Sequence, residues 1–234
     1  MKTAACRLSF VFASAAPIAV ILRRGPSRLV EVVKWNTAKD KFDDGQWLHG
    51  RIYAERCGLS PDGKLFVYFA AKHGKVDYLR GYKDTYTVVS KPPYLTALAM
   101  WPEGSTWGGG GRFIDTKTLR LAYGAHGTRS PDGKTELLMA PLPKHHPAHP
   151  PRGLEIQTDL DFYAPDRDFR APGKKGAKRA KGTEWTGKDH TGRTISARGG
   201  VLFCVNKKGR EVVLRDFNGD KWQDRPAPRW AQAW

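Results

Sequence analysis

The sequence predicts an all-β fold, and three observations lead there. Short runs rich in β-branched and aromatic residues recur, Gly, Pro, Asn and Asp separate them, and long amphipathic patterns of helical period are nearly absent. Strands are expected over 18–23, 28–35, 46–53, 64–71, 86–90, 95–101, 111–115, 119–123, 135–140, 194–198, 201–206 and 211–217. Tight turns join several of them at Gly25-Pro26-Ser27, Pro61-Asp62-Gly63, Pro131-Asp132-Gly133 and Lys208-Gly209, where glycine supplies the backbone freedom that hairpins need.

Two internal repeats refine this reading. Ser60-Pro61-Asp62-Gly63-Lys64, ahead of Leu65-Phe66-Val67-Tyr68, recurs as Ser130-Pro131-Asp132-Gly133-Lys134 ahead of Leu137-Leu138-Met139, with a looser relative at Asp189-His190-Thr191-Gly192-Arg193. A hairpin pattern also occurs near both ends. Glu31-Val32-Val33 and Asp40-Lys41-Phe42 correspond to Glu211-Val212-Val213 and Asp220-Lys221-Trp222, and the strand ahead of each reads Val20-Ile21-Leu22 and Val201-Leu202-Phe203. The copies lie 180 residues apart, four periods of about 45, and about 40–45 residues is the repeat of a four-stranded propeller blade. A propeller-like body of about five blades follows. A β-sandwich with hairpins would carry the same alternation and the same Asp-Gly turns. Because a closed ring must hide its strand edges, the apolar strand at 18–22 is expected to complete a sheet with the C-terminal strands.

These same residues carry a family resemblance. Ser-Pro-Asp-Gly-Lys ahead of an apolar strand resembles the repeat of TolB-like propellers, and Val32-Val33-Lys34-Trp35-Asn36-Thr37 resembles the strand end and turn of WD-repeat blades. Residues 19–72, 92–111 and the closing Ala227-Pro228-Arg229-Trp230-Ala231-Gln232-Ala233-Trp234 are similar to uncharacterised bacterial propeller-like proteins with no assigned activity. The resemblance implies a fold, not a reaction.

Two stretches stand apart from the repeat pattern. Residues 1–16 combine Lys2 and Arg7 with an apolar run and small residues, the outline of an export signal. Their apolar core, residues 8–12, falls short of the roughly 7–15 residues usual for export. They are read as an N-terminal extension or signal-like segment ahead of a single domain over 17–234. The protein is expected in the cytoplasm, or exported if that segment is cleaved. Residues 141–187 read as a polar insertion: Pro141-Leu142-Pro143-Lys144-His145-His146-Pro147 opens it, acids at Asp159, Asp161, Asp166 and Asp168 follow, and then comes a basic, glycine-rich run.

That run carries the clearest partner signal. The chain has 40 Lys plus Arg against 23 Asp plus Glu, a formal charge of +17, and such an excess favours polyanions. Arg170, Lys174, Lys175, Lys178, Arg179 and Lys181 stand together without an intervening acid. A flexible loop of this kind follows phosphates without reading sequence. It also serves as a solvated loop.

Other chemistry is weakly marked. His145, His146 and His149 lack the nearby Cys or carboxylate that would complete a metal site, and the acids at 159–168 lack the glycine and terminal Glu of a calcium loop; no metal or cofactor is expected. Cys6, Cys57 and Cys204 form no C-x-x-C pair, and Cys57 and Cys204 are expected as buried thiols. The Gly108-Gly109-Gly110-Gly111 run opens no helix, so a bent strand or a close backbone approach is expected there. Neither a nucleophile motif nor a phosphate loop occurs, and no stretch approaches the ~20 apolar residues of a membrane span. Of eight tryptophans, Trp35, Trp47, Trp101 and Trp222 fall in strand positions and are expected in the core. Trp107 and Trp185 lie among Gly and Thr and are candidate stacking platforms for sugars or bases, while Trp230 and Trp234 are expected to pack as a cap. The functional expectation is a non-catalytic interaction module that holds a protein. A nucleic-acid or other polyanion binder acting through 170–181, and a propeller enzyme or carbohydrate binder, are the alternatives.

Overall fold

The computed structural model describes residues 5–25, 28–72, 84–103, 106, 108–122, 128–129, 135–136, 153–158, 184–206 and 208–234. Strands β1 (Arg7–Phe12), β2 (Ile18–Arg24), β3 (Leu29–Asn36) and β4 (Lys41–His49) form the first sheet, antiparallel and in chain order. A second sheet takes β5 (Arg51–Ile52), β6 (Gly58–Leu59), β7 (Phe66–Ala71), β8 (Thr85–Ser90) and β9 (Ala99–Pro102), ordered β5-β7-β8-β9 with β6 also paired to β7. Strands β10 (Gly111–Phe113) and β11 (Thr118–Leu121) pair antiparallel, as do β12 (Thr128–Arg129) and β13 (Thr135–Glu136), and β14 (Glu155–Thr158) joins β11 in parallel. The last sheet is β15 (Trp185–Lys188), β16 (Thr194–Arg198), β17 (Val201–Val205) and β18 (Glu211–Asp216), antiparallel and in chain order. The protein is therefore all-β, with two four-stranded antiparallel meanders near its ends.

Side-chain alternation distributes these sheets around three cores. Ala19 and Ile21 of β2 point with Val33 and Trp35 of β3 toward Ile195, Ala197, Leu202 and Phe217 near the C-terminus. Val20 and Leu22 point the other way, with Val30 and Val32, against Phe66, Tyr68 and Val88 of the second sheet. That sheet in turn buries Val67, Val89 and Trp101 against Leu119 and Leu121. The last, first, second and third sheets thus pack in series. Burial on both faces explains why 19–22 and 66–71 read as continuous apolar runs, since neither face of these strands is left for water.

The segment read as a separate extension contributes to this packing. Its residues 7–12 form β1, with Leu8 and Phe10 in the core shared by the first and last sheets. The expectation that 18–22 would join the C-terminal strands in one sheet is corrected here: β2 pairs only with β1 and β3, and meets the last sheet through side chains. The terminal repeats do meet, but one strand out of phase. Their first copy supplies the second and third strands of its sheet and enters β4 at Lys41; the second supplies the third and fourth strands, and Asp220-Lys221-Trp222 lies beyond β18 as coil. The guanidinium of Arg23 takes the carbonyls of Phe217 and Asp220 at 3.2 and 3.1 Å, diverting that backbone from any ladder.

Side chains build the turns as the sequence anticipates. Ser60 Oγ accepts from the amides of Lys64 and Leu65 and donates to Asp62; in the looser relative Asp189 accepts from the amides of Thr191 and Arg193. Residues 130–134 of the second copy lie outside the described residues. In the glycine run, Gly110 has φ +98°, and a Cβ there would stand 2.4 Å from the carbonyl oxygen of Arg56, which is the close backbone approach expected of it. The three thiols are buried and unpaired.

A polar latch fastens the first sheet to the last. Arg193, beside the β15–β16 turn, donates to Asp189 at 2.7 Å, to both carboxylate oxygens of Asp40 at 2.8 and 2.9 Å, and to the carbonyl of Thr37 at 2.6 Å. His190 Nδ1 sits 2.7 Å from Thr37 Oγ1. Bidentate geometry of this kind fixes orientation as well as energy.

If the ends depend on this shared core, Phe10→Ala should cost roughly 3–5 kcal/mol and lower hydrogen-exchange protection in β16 and β17 together with β2. Loss confined to β1 and β2 would show that the last sheet stands without them.

Candidate functional site

The site grows from an irregularity in β4. Glu31 pairs with Trp47 and Val33 with Asp44, so Gly45 and Gln46 stand against the single residue Val32, a β-bulge. The bulge frees the Gln46 amide, which donates to the carbonyl of Pro93 at 3.1 Å. Only glycine fits beside it, since a Cβ on Gly45 would lie 2.0 Å from that same carbonyl oxygen. The Gln46 side chain then ties three walls together: its Nε2 donates to the carbonyl of Arg225 at 2.9 Å, and its Oε1 accepts from the Leu95 amide at 2.7 Å. Between these walls lies a cavity of about 250 Å³, lined by Gln46 and Trp47 from β4, Leu95 and Thr96 from the loop ahead of β9, and Trp222 to Arg225 from the C-terminal coil.

A charged row runs beneath it. Arg23, Glu31 and Trp47 are register partners across β2, β3 and β4, and the Arg23 guanidinium lies 5.2 Å from the centre of the Trp47 ring. Beside them Arg215 bridges Asp44 at 2.6 Å and Asp220 at 2.8 Å, and Arg225 stands 3.6 Å from Asp44. Glu31 is 2% exposed. Burial, reinforced by the nearby carboxylates of Asp220 and Asp44, pushes its carboxyl up to about 8. Its Oε2 and the indole nitrogen of Trp47 are buried without a hydrogen-bond partner in the structure. Burial also pushes Asp220 up, outweighing the attraction of Arg215.

The C-terminal coil continues past this cavity and stays fastened. Lys91 Nζ donates to the carbonyls of Trp230 and Ala233 at 2.9 and 2.6 Å, and Ala227 and Ala231 are buried. A 3₁₀ turn over Arg229–Ala231 presents Trp230 against Tyr94, edge to face, with ring centroids 5.5 Å apart.

Tryptophan expectations divide accordingly. Trp35 and Trp101 are core residues and Trp47 is half-buried. Trp222 is corrected: it is 55% exposed, because β18 has ended before it and no further strand carries it inward. Trp230 and Trp234 are also turned outward, at 56% and 44%, and Ala231 is what the cap buries. Trp185 opens β15 and is half-buried, 4.4 Å from the ring of Phe10 and 5.8 Å from that of Phe12. Trp107, Arg170, Lys174, Lys175, Lys178, Arg179, Lys181, the three histidines at 145–149 and the acids at 159–168 lie outside the described residues. Among the described residues no group of three or more His, Cys, Asp or Glu is placed to hold a metal ion, and no helix is long and apolar enough to cross a membrane.

The chain matches no protein-family model, and comparison with curated proteins and with solved structures finds no match for it.

Ionisation of Glu31 has a readable sign. Its carboxyl keeps its proton in the folded protein up to about 8, whereas the ordinary value is 4.5. Its contribution to stability is therefore complete below 4.5 and is lost as pH rises through about 8. Glu31→Gln should raise the melting temperature at pH 9 relative to the wild type and change it little at pH 4.5. A constant offset at both pH values would mean that Glu31 does not titrate in this window.

Proposed function

We propose that the protein is a non-catalytic, propeller-like interaction module that holds a protein partner on the aromatic face of its C-terminal coil. The observation that carries this reading is the exposure of Trp230 and Trp234, two large apolar side chains on a segment that Lys91 and the buried Ala227 and Ala231 hold in place. Fixed, exposed tryptophan is costly surface for a protein with no partner and is the residue type enriched where partners bind hardest. With Tyr94 supporting Trp230 edge to face, the face is presented in advance, which reduces the ordering that binding must impose. Support for the propeller-like build comes from the serial packing of four sheets and from the core that the first and last of them share. About five blades is the count that the 45-residue spacing favours.

The formal charge of +17 favours a second reading, retention of nucleic acid or another polyanion through Arg170, Lys174, Lys175, Lys178, Arg179 and Lys181. Phosphate tracking releases counterions. Retention on heparin should then fall steeply between low and physiological salt, and should drop when Lys174, Lys175, Lys178, Arg179 and Lys181 are replaced by Gln. Salt-independent retention would remove this reading.

For the principal reading, the full chain purified from its native host at moderate salt should retain a stoichiometric protein. Trp230→Ala with Trp234→Ala should lose that protein by about tenfold or more at an unchanged melting temperature. Equal retention by wild type and double variant would overturn the assignment of this face.

A further inference from the structure

We propose that the cavity between β4 and residues 222–225 binds one ring of a neutral saccharide, with Trp222 as its stacking platform. This inference is separate from protein docking on Trp230 and Trp234, and uses a different set of side chains.

Three properties of the cavity select that chemistry. Trp222 is 55% exposed, lines the cavity and makes no ring contact among the described residues, so part of an indole face is open to a ligand. That face is the negative pole of the ring quadrupole, and the weakly positive C–H groups on one side of a pyranose match it. The polar lining offers both donors and an acceptor. Asp224 is exposed and its carboxylate has no partner among the described residues, whereas Arg225 donates to the Oε1 of Gln223 from Nε at 3.1 Å and from Nη2 at 2.6 Å. Gln223 thereby turns its amide NH₂ away from Arg225 and leaves it to donate elsewhere. Adjacent sugar hydroxyls, each donor and acceptor at once, match a carboxylate beside an amide and a guanidinium. Finally, the volume of about 250 Å³ suits one ring rather than a chain, and the walls are set in advance by the side chain of Gln46.

Competing occupants fit less well. A phosphate group or polyanion would meet the carboxylate of Asp224, with Asp44 beside Arg225 already taking part of that cation's field. A quaternary ammonium would find an indole and a carboxylate, but also a guanidinium on the same wall. An apolar peptide would cover the Asp224 carboxylate and the Gln223 amide NH₂ without offering either a partner.

The test titrates the full chain with cellobiose, chitobiose, maltose and xylobiose, following tryptophan fluorescence and calorimetric heat. At least one should bind saturably, with a dissociation constant on the order of 1 mM. Trp222→Ala and Asp224→Asn should each weaken that binding about tenfold or more while the melting temperature stays at the wild-type value, and Trp222→Phe should restore part of it. Gln46→Ala should weaken it as well, through loss of the walls, and Gln46→Glu, which keeps an acceptor for the Leu95 amide, should restore part of that loss. The proposal is overturned if none of the four saturates the wild type, if Trp222→Ala binds as the wild type does, or if tetramethylammonium binds there and the sugars do not. Failure here leaves protein retention by Trp230 and Trp234 untouched, and loss of that retention in the Trp230 and Trp234 variants leaves sugar binding in place.

Discussion

The joint between the first and last sheets organises everything else in the molecule. Leu8, Phe10, Ile21, Val33 and Trp35 supply one side and Ile195, Leu202 and Phe217 the other, so the apolar area removed from water joins residues almost two hundred positions apart. A chain of rings runs through it, from Phe12 to Trp35, from Trp35 to Phe42 and from Phe42 to Phe217, with centroids 5.8 to 6.2 Å apart. Apolar contact of this kind is not directional and tolerates sliding. The Arg193 latch is directional, because a planar fork accepted by Asp40, Asp189 and the Thr37 carbonyl has one satisfactory pose. Area holds the two ends together, and the guanidinium sets their alignment.

Both candidate surfaces follow from how the chain leaves that joint. After β18 the backbone turns away from its sheet, its carbonyls at Phe217 and Asp220 taken by Arg23, and crosses the edge of β4. Gln46, exposed to this crossing by the bulge, clamps it at Arg225, and Lys91 clamps it again near Trp230. A coil that is fixed at three points without being paired as a strand can carry side chains outward. Trp222, Trp230 and Trp234 are outward for this reason, and the cavity exists because the coil spans a gap that a strand would have filled.

Much of the fold was legible in the sequence, and the reasons differ by element. Strands were expected at 18–23 and 64–71 from their β-branched and aromatic residues, though not their burial on both faces, and the Asx and Ser turns at Ser60 and Asp189 were readable because their chemistry is local. Strand β1 was not recognised, since Arg7 to Phe12 beside small residues has the composition of an export core as much as of a strand; only its partners in β2 and β16 distinguish them. Strands β14 and β15 are short and polar; β14 pairs with the distant β11, whereas β15 pairs with the adjacent β16 but offers little apolar alternation to mark it. The cavity left no signal either. Its pivotal contacts join Gln46 to Arg225 and Arg215 to Asp44, pairs separated by 179 and 171 residues. Spacing along the chain carries no trace of such pairs, although the break in alternation at Gly45 was a visible mark of the bulge.

The charged row at the end of the joint raises the question of why Arg23, Glu31, Asp44, Arg215 and Asp220 occupy a place that leucines would fill. Buried ion pairs gain little net stability once desolvation is subtracted, and Glu31, protonated and short of a partner at Oε2, contributes less than an apolar residue of its size. What the row supplies is discrimination among arrangements. Arg23 and Arg215 make four hydrogen bonds here, three to the C-terminal coil at the Phe217 and Asp220 carbonyls and the Asp220 side chain and one to Asp44 of β4, and a coil shifted by one residue would leave its three donors unmatched. An apolar end would have accepted several registers of the coil with similar energy. The position of Trp222 over the cavity, and of Trp230 over Tyr94, requires one register, so the polar cost at the joint is what makes the surface beyond it definite.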